Sequence, residues 1–158
     1  MLTNNWIFVM WLVATVGCAL VAGVFFAFST FIMRALARLP SADGMAAMQS
    51  INTTVITTLF MLALFGTGLA CLMLIWLTWQ QPNESLIITA SVCYLLGTLG
   101  VTMLKNVPLN NALAVAKIDS EAGTTLWKNY LNRWTFWNHV RTISALVAAI
   151  LLLLSLNK

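Results

Sequence analysis

Charged side chains are scarce in this sequence. Only 8% of its 158 residues are Asp, Glu, Lys or Arg, whereas 61% are hydrophobic. A typical soluble domain has roughly 25% charged and 45–50% apolar residues, so this chain has too little polar surface to dissolve. Its net charge of +4 comes from eight scattered Lys and Arg residues. Because no basic run interleaves with aromatic residues, the charge does not indicate nucleic-acid binding.

Residues that could hold a metal or form a catalytic triad are also few. The single histidine, His139, has no carboxylate at a supporting spacing, so we predict no metal site. The three cysteines, Cys18, Cys71 and Cys93, lie in apolar stretches and form no CxxC or Cys/His pattern. We interpret them as small buried hydrophobic residues.

Four apolar segments are long enough to span a bilayer, which takes about 20 helical residues. They cover residues 6–33, 55–79, 86–104 and 138–156. None alternates as a barrel strand would, and backbone groups in lipid must be paired locally. The first segment is too long for a signal peptide and lacks a basic leader. We therefore predict one all-α domain over residues 1–158, an integral membrane four-helix bundle.

The positions of Lys and Arg predict the orientation of the bundle. Seven of the eight lie in the first or third loop or at the edge of span four: Arg34, Arg38, Lys105, Lys117, Lys128, Arg133 and Arg141. Because short cytoplasmic loops collect basic residues, both loops should face the cytoplasm and both termini should be extracytoplasmic. The short second loop, residues 80–85, should also lie outside. We expect a multi-pass protein of the cell (inner) membrane.

Helices two and four are predicted to continue beyond the bilayer on the cytoplasmic side. Pro40 and Ser41 provide a stop and a cap, after which residues 42–79 contain no breaker except single glycines. Residues 124–136 carry apolar or aromatic side chains at amphipathic helical spacing and run directly into span four.

Pro108 should disturb the end of helix three, because the residue before a proline avoids the helical region. Residues 109–118 then form a short extra helix in the third loop.

Polar side chains accumulate at the cytoplasmic helix ends, and nothing comparable occurs at the outer ends. They are Arg34, Gln49, Asn52, Asn106, Asn110, Asn111, Asn138, His139 and Arg141. In a membrane protein such placement marks candidate functional residues. At 3.6 residues per turn, Trp134, Trp137 and Asn138 share a helical face with Arg141, whereas His139 lies on the opposite face. Asn52 lies on an otherwise apolar face and should point into the bundle.

Simpler explanations exist for several of these residues. Asn106 could cap the short helix before Pro108. Arg34, Lys105 and Arg141 could be anchors that reach the lipid headgroups. None of these explains why an Arg, an Asn and several aromatics share one helical face beside a buried Asn.

Four strings occur in order along the chain: GVFFAFSTF at 23–31, AMQSIN at 47–52, NVPLN at 106–110 and WTFWNHVRT at 134–142. Together they resemble the small four-helix membrane family that includes the fungal anthrone oxygenases, and the similarity covers nearly the whole chain. The resemblance implies oxygenation of a lipophilic polycyclic anthrone without a metal, flavin or haem, hence no cofactor.

Such an enzyme would bind the rings, accept a proton and stabilise an oxyanion. The catalytic candidates are Asn138, Arg141, Asn52 and His139. The substrate-binding candidates are Trp134, Trp137, Asn106, Asn110, Gln49 and Arg34. His139 would be the obvious base, but the helical wheel turns it away from Arg141.

A non-enzymatic alternative stays open, in which the polar cluster is structural or binds a lipophilic ligand or a partner protein. A transporter ranks third, because four spans without a broken helix pair would need a dimer. The expected partners are the lipid bilayer, a lipophilic small molecule and, in a homo-oligomer, further copies of the chain.

Overall fold

The computed structural model describes residues 5–79 and 85–156, and within these ranges it contains five helices and no strand. The helices are α1 (Asn5–Leu36), α2 (Ser41–Val55), α3 (Leu59–Thr78), α4 (Ser85–Ala114) and α5 (Glu121–Ser155). All except α2 are long and apolar enough to cross a membrane. The predicted all-α membrane bundle is confirmed, while residues 80–84 of the predicted outer loop lie outside the described ranges.

Helix α1 packs along both α5 and α3, and Gly17 lies at a close contact with α3. A Cβ at this position would collide with the side chain of Thr67. Small residues that are fully buried on α1 and α5, including Ala14, Ala145 and Ala148, allow these two helices to pack closely. The apolar core of the membrane-spanning part is built around these contacts.

The predicted uninterrupted helix over residues 42–79 is wrong. Helix α2 ends at Val55 and α3 begins at Leu59, with Thr58 in an extended conformation between them. The interruption falls in a run of six β-branched residues, 53–58, which lose side-chain freedom in a helix. Thr57 and Thr58 also donate their hydroxyls to nearby backbone carbonyls, which competes with helical hydrogen bonding. The extension of the second span is therefore a separate helix.

The predicted short helix near Pro108 is present as Val107–Ala114, but it continues from the spanning part of α4 without a break. Two π-helical segments, Cys93–Gly100 and Thr102–Asn106, precede it. The ring of Pro108 would clash with the α-helical carbonyl four residues earlier, that of Leu104, and the wider π turn over Thr102–Asn106 relieves this clash. Cys93–Gly100 is too far from Pro108 for the same explanation.

Helix α5 is 35 residues long, about 52 Å at 1.5 Å per residue, and so exceeds the bilayer core. Its start is capped by Ser120, whose hydroxyl oxygen accepts the N–H of Gly123 at 2.9 Å. The predicted extension of the fourth spanning helix is confirmed. A second core, built on Met45, Trp127 and Tyr130, covers this extended end.

Candidate functional site

A cavity of about 590 Å³ lies where the interruption between α2 and α3 faces α4 and α5. Residues on both sides of the interruption line it, including Val55, Ile56 and Phe60. Its walls are mostly apolar or aromatic, and eight of the lining side chains are polar: Gln49, Ser50, Asn52, Thr53, Thr102, Asn110, Asn111 and Arg141. This volume and composition are typical of a small-molecule site.

Arg141 is the charged residue of this cavity and is only 4% exposed. Its Nη2 donates to Asn138 Oδ1 at 2.7 Å and its Nη1 donates to Thr102 Oγ1 at 3.3 Å. The guanidinium carbon lies 4.0 Å from the ring centroid of Phe25 and 5.0 Å from that of Trp134. The cation is thus held by neutral and aromatic groups.

Arg141 retains unused hydrogen-bonding capacity. Its Nε is buried without a hydrogen-bond partner among the described residues, and a guanidinium has five N–H donors in all. The described residues that line the cavity include no carboxylate. Burying an unpaired cation is costly, so this arrangement suits a ligand that carries negative charge.

Asn138 fixes the position of Arg141. It is fully buried, and its Nδ2 donates to the Phe25 carbonyl and to Ser29 Oγ, both at 2.7 Å. Ser29 belongs to a π-helical turn of α1, Phe28–Ile32, and such turns recur at functional sites. Asn138 therefore ties the guanidinium on α5 to the backbone of α1, although it does not itself line the cavity.

Two further candidates, Asn52 and Asn110, line the cavity, and both form a hydrogen bond with the Tyr130 hydroxyl. Tyr130 donates its hydroxyl to Asn110 Oδ1 at 2.9 Å, and Asn52 Nδ2 donates to the same hydroxyl at 3.4 Å. Trp134, also on the cavity wall, donates its indole N–H to Asn110 Oδ1 at 2.8 Å. Gln49 lines the cavity and donates to the Leu113 carbonyl at 2.8 Å.

Besides Asn138, four predicted residues are not brought into the cavity. Arg34 and His139 line a separate shallow groove of about 340 Å³, so His139 faces away from Arg141 as the helical wheel predicts. Trp137 is half-buried and lies under the ammonium of Lys105, 5.1 Å from the ring centroid. Asn106 is buried and donates to the Trp134 carbonyl at 3.2 Å.

Two of the simpler explanations are wrong. The Asn106 side chain makes no capping hydrogen bond to Val107–Ala114 and instead links α4 to α5. Arg141 is too deeply buried to be a headgroup anchor, whereas Arg34 and Lys105 are exposed and remain available for that role.

Sequence reasoning did not assign site roles to Phe25, Ser29, Thr102 or Tyr130. Phe25 and Ser29 lie in the family-like string at 23–31, but nothing in the sequence indicates that they contact the residues around Arg141. Among the described residues, no three His, Cys, Asp or Glu side chains are grouped closely enough to hold a metal ion.

A family model for anthrone oxygenase matches residues 45–151, which is more than half of the chain. The chain belongs to the anthrone oxygenase family. The predicted resemblance is confirmed, and the matched range includes every cavity-lining candidate on α2, α4 and α5 of this anthrone oxygenase family member. Helix α1, which supplies Phe25 and Ser29, precedes the match. No curated protein and no solved structure matches the chain.

Proposed function

We propose that the protein is a membrane-bound oxygenase that binds a lipophilic polycyclic anthrone beside Arg141 and promotes its oxidation by O₂ to a quinone. The observation that carries this proposal is a buried cation without a carboxylate partner in an apolar, aromatic cavity. An anthrone enolate is flat, apolar and singly negative, so it matches both the walls and the charge.

The reaction balances with O₂ as the oxidant. The methylene carbon opposite the anthrone carbonyl gives one proton to water, and the electron pair forms an enolate. This carbon then bonds to O₂, and protonation gives a hydroperoxide. Cleavage of the O–O bond with loss of the second methylene hydrogen releases water and leaves a carbonyl, so anthrone and O₂ become quinone and water.

The residues of the cavity would act on the enolate. Arg141 would donate N–H groups to its oxygen, which stabilises the charge that develops as the proton leaves. Trp134 and the phenyl ring of Phe25, which both contact the guanidinium, would bound the aromatic rings. Asn138 would keep the guanidinium in place, and Asn52 and Asn110 would contribute neutral hydrogen-bonding groups.

Oxygen uptake with an anthrone, measured on membranes that contain the protein, tests the proposal. Arg141→Gln should lower the rate by about 100-fold, the usual effect of removing an oxyanion donor. Arg38→Gln is the matched control, because this arginine is exposed and does not line the cavity. His139→Gln should retain turnover, since its side chain lies in the other groove. A wild-type rate no higher than that of empty membranes would overturn the proposal.

The second candidate function is binding of a lipophilic anion without turnover. It is favoured by one observation, that the described lining residues include no carboxylate, histidine or thiol that could act as a general base. Anthrone binding by the wild type with no oxygen uptake above the background rate would support this alternative.

We also propose that the protein lies in the cell membrane with both termini extracytoplasmic. Six of the seven basic residues behind this orientation are exposed at the end that carries the cavity: Arg34, Arg38, Lys105, Lys117, Lys128 and Arg133. Arg141 drops out of the count because it is buried. A reporter active only in the cytoplasm, fused after the C-terminus, should be inactive, and strong reporter activity would reverse the orientation.

A further inference from the structure

The orientation of the Asn110 amide is fixed by two donors. The Trp134 indole N–H lies 2.8 Å from one amide atom, and the Tyr130 hydroxyl lies 2.9 Å from the same atom. An indole nitrogen only donates, so the shared atom must be the oxygen. The amide therefore turns its oxygen towards α5.

The remaining end of this amide carries two N–H donors. Asn110 lines the cavity and is half-buried, and its Nδ2 is not consumed by the contacts that hold Oδ1. Because Arg141 lines the same cavity, the ligand would meet N–H donors from α4 as well as from α5. Donors rather than acceptors suit a negatively charged oxygen.

Tyr130 also constrains Asn52 on α2. The Asn52 Nδ2 donates to the Tyr130 hydroxyl, which in turn donates to Asn110 Oδ1. One buried hydroxyl on α5 thus orders amides on two other helices. Its ring stacks between Trp127 and Trp134, at centroid distances of 5.6 and 6.0 Å.

We propose that Tyr130 is a positioning residue that makes the cavity select anionic over neutral ring systems, by holding the Asn110 amide with its N–H groups towards the ligand. The inference rests on the proposed function only in that the cavity binds a ligand. It does not require turnover.

The test compares binding of two probes to the purified full-length protein in nanodiscs. Anthracene-9-carboxylate is the anion and 9-anthracenemethanol is the neutral counterpart, and intrinsic ring fluorescence reports both. The wild type should prefer the carboxylate. Tyr130→Phe keeps the stacked ring but removes the hydroxyl, and it should reduce this preference by about 3- to 10-fold, the value of one hydrogen bond.

Tyr94→Phe is the matched control. Tyr94 is also a buried tyrosine, and it donates its hydroxyl to the Leu64 carbonyl at 3.0 Å. Both substitutions remove one buried hydroxyl and should lower thermal stability similarly, but Tyr94→Phe should leave the probe preference unchanged. A purely structural role for Tyr130 would make the two variants alike.

Asn110→Asp tests the N–H groups of Asn110 directly, even if Tyr130→Phe fails to fold. A carboxylate still accepts from Tyr130 and Trp134, but it presents no N–H and adds negative charge at the cavity. Carboxylate binding should fall by at least about 30-fold, while 9-anthracenemethanol binding changes little.

Wild-type protein without a preference for the anion, or unchanged preference in Tyr130→Phe or Asn110→Asp, would overturn the inference. Anion preference without oxygen uptake would instead remove the oxygenase proposal and leave the role of Tyr130 standing.

Discussion

Asn138 positions the guanidinium of Arg141, which lies three residues further along α5. The guanidinium is placed by the Asn138 oxygen, while the Asn138 nitrogen is placed by the Phe25 carbonyl and Ser29. The cation is thereby fixed by neutral contacts alone, and its Nε has no hydrogen-bond partner among the described residues. A nearby carboxylate would have neutralised the charge that an anionic ligand requires.

Asn138→Ala should lower both stability and turnover. It removes one partner of the Phe25 carbonyl and of one guanidinium nitrogen, while the Ser29 hydroxyl keeps its contact with Thr142. A buried polar group that is left unpaired costs about 1–3 kcal/mol. Thermal unfolding in detergent and oxygen uptake measure the two effects. Asn132→Ala, an exposed asparagine on the same helix, is the control. Equal behaviour of the two variants would contradict the positioning role of Asn138.

The sequence predicts only part of the residue-level arrangement. Helical spacing places Asn138 and Trp134 with Arg141 and turns His139 away, as the structure also has them. For Trp137 the helical spacing is misleading. It places Trp137 on the face of Arg141, but the ring lies under the Lys105 ammonium and does not line the cavity. Hydrogen bonds between helices, such as those of Tyr130, depend on how the helices pack together, and the spacing of residues along one helix does not give this packing.

At the level of elements, the interruption between α2 and α3 forms part of the cavity wall. Helical periodicity could not predict this interruption, because β-branched residues, including threonine, also occur in continuous membrane helices. The outcome depends on competition between helical hydrogen bonds and the hydroxyls of Thr57 and Thr58. The π-helical segments of α4 are similarly absent from the sequence pattern, since Pro108 lies close only to the second of them, Thr102–Asn106.

Replacing Thr57 and Thr58 together with alanine should favour a continuous helix. The change removes both competing hydroxyls and improves helix propensity by up to about 0.7 kcal/mol per residue. Helix α2 would then align with α3, so the cavity should shrink, helical circular dichroism should rise and anthracene-9-carboxylate binding should weaken.

Thr30→Ala is the control for this double variant, because Thr30 likewise donates its hydroxyl to a carbonyl of its own helix, that of Phe26. Probe binding at wild-type strength in the double variant, despite added helix, would show that the interruption does not shape the site.

At the scale of the whole molecule, the chain is a membrane bundle with one polar end, which carries the cavity. Composition and the lengths of the apolar segments suffice to predict the four spanning helices, because the bilayer imposes both. The close pairing of α1 with α3 and α5 holds the Phe25 carbonyl beneath Asn138, so bundle packing and site geometry are linked.

Gly17→Leu tests this link. The new side chain would meet Thr67 on α3, and such overpacking typically costs about 1–3 kcal/mol. We expect a lower unfolding temperature. Gly23→Leu is the control on the same helix, since a Cβ there has open space around it. Equal unfolding temperatures for the two variants would contradict the close α1–α3 contact.

Oxidation of an anthrone under oxygen-18 gas, followed by mass spectrometry of the quinone, tests the central claim most directly. The purified wild type should place one labelled oxygen in each quinone, at a rate about 100-fold above that of Arg141→Gln. Labelled quinone formed equally fast by Arg141→Gln or by protein-free nanodiscs would contradict a catalytic role for the buried cation.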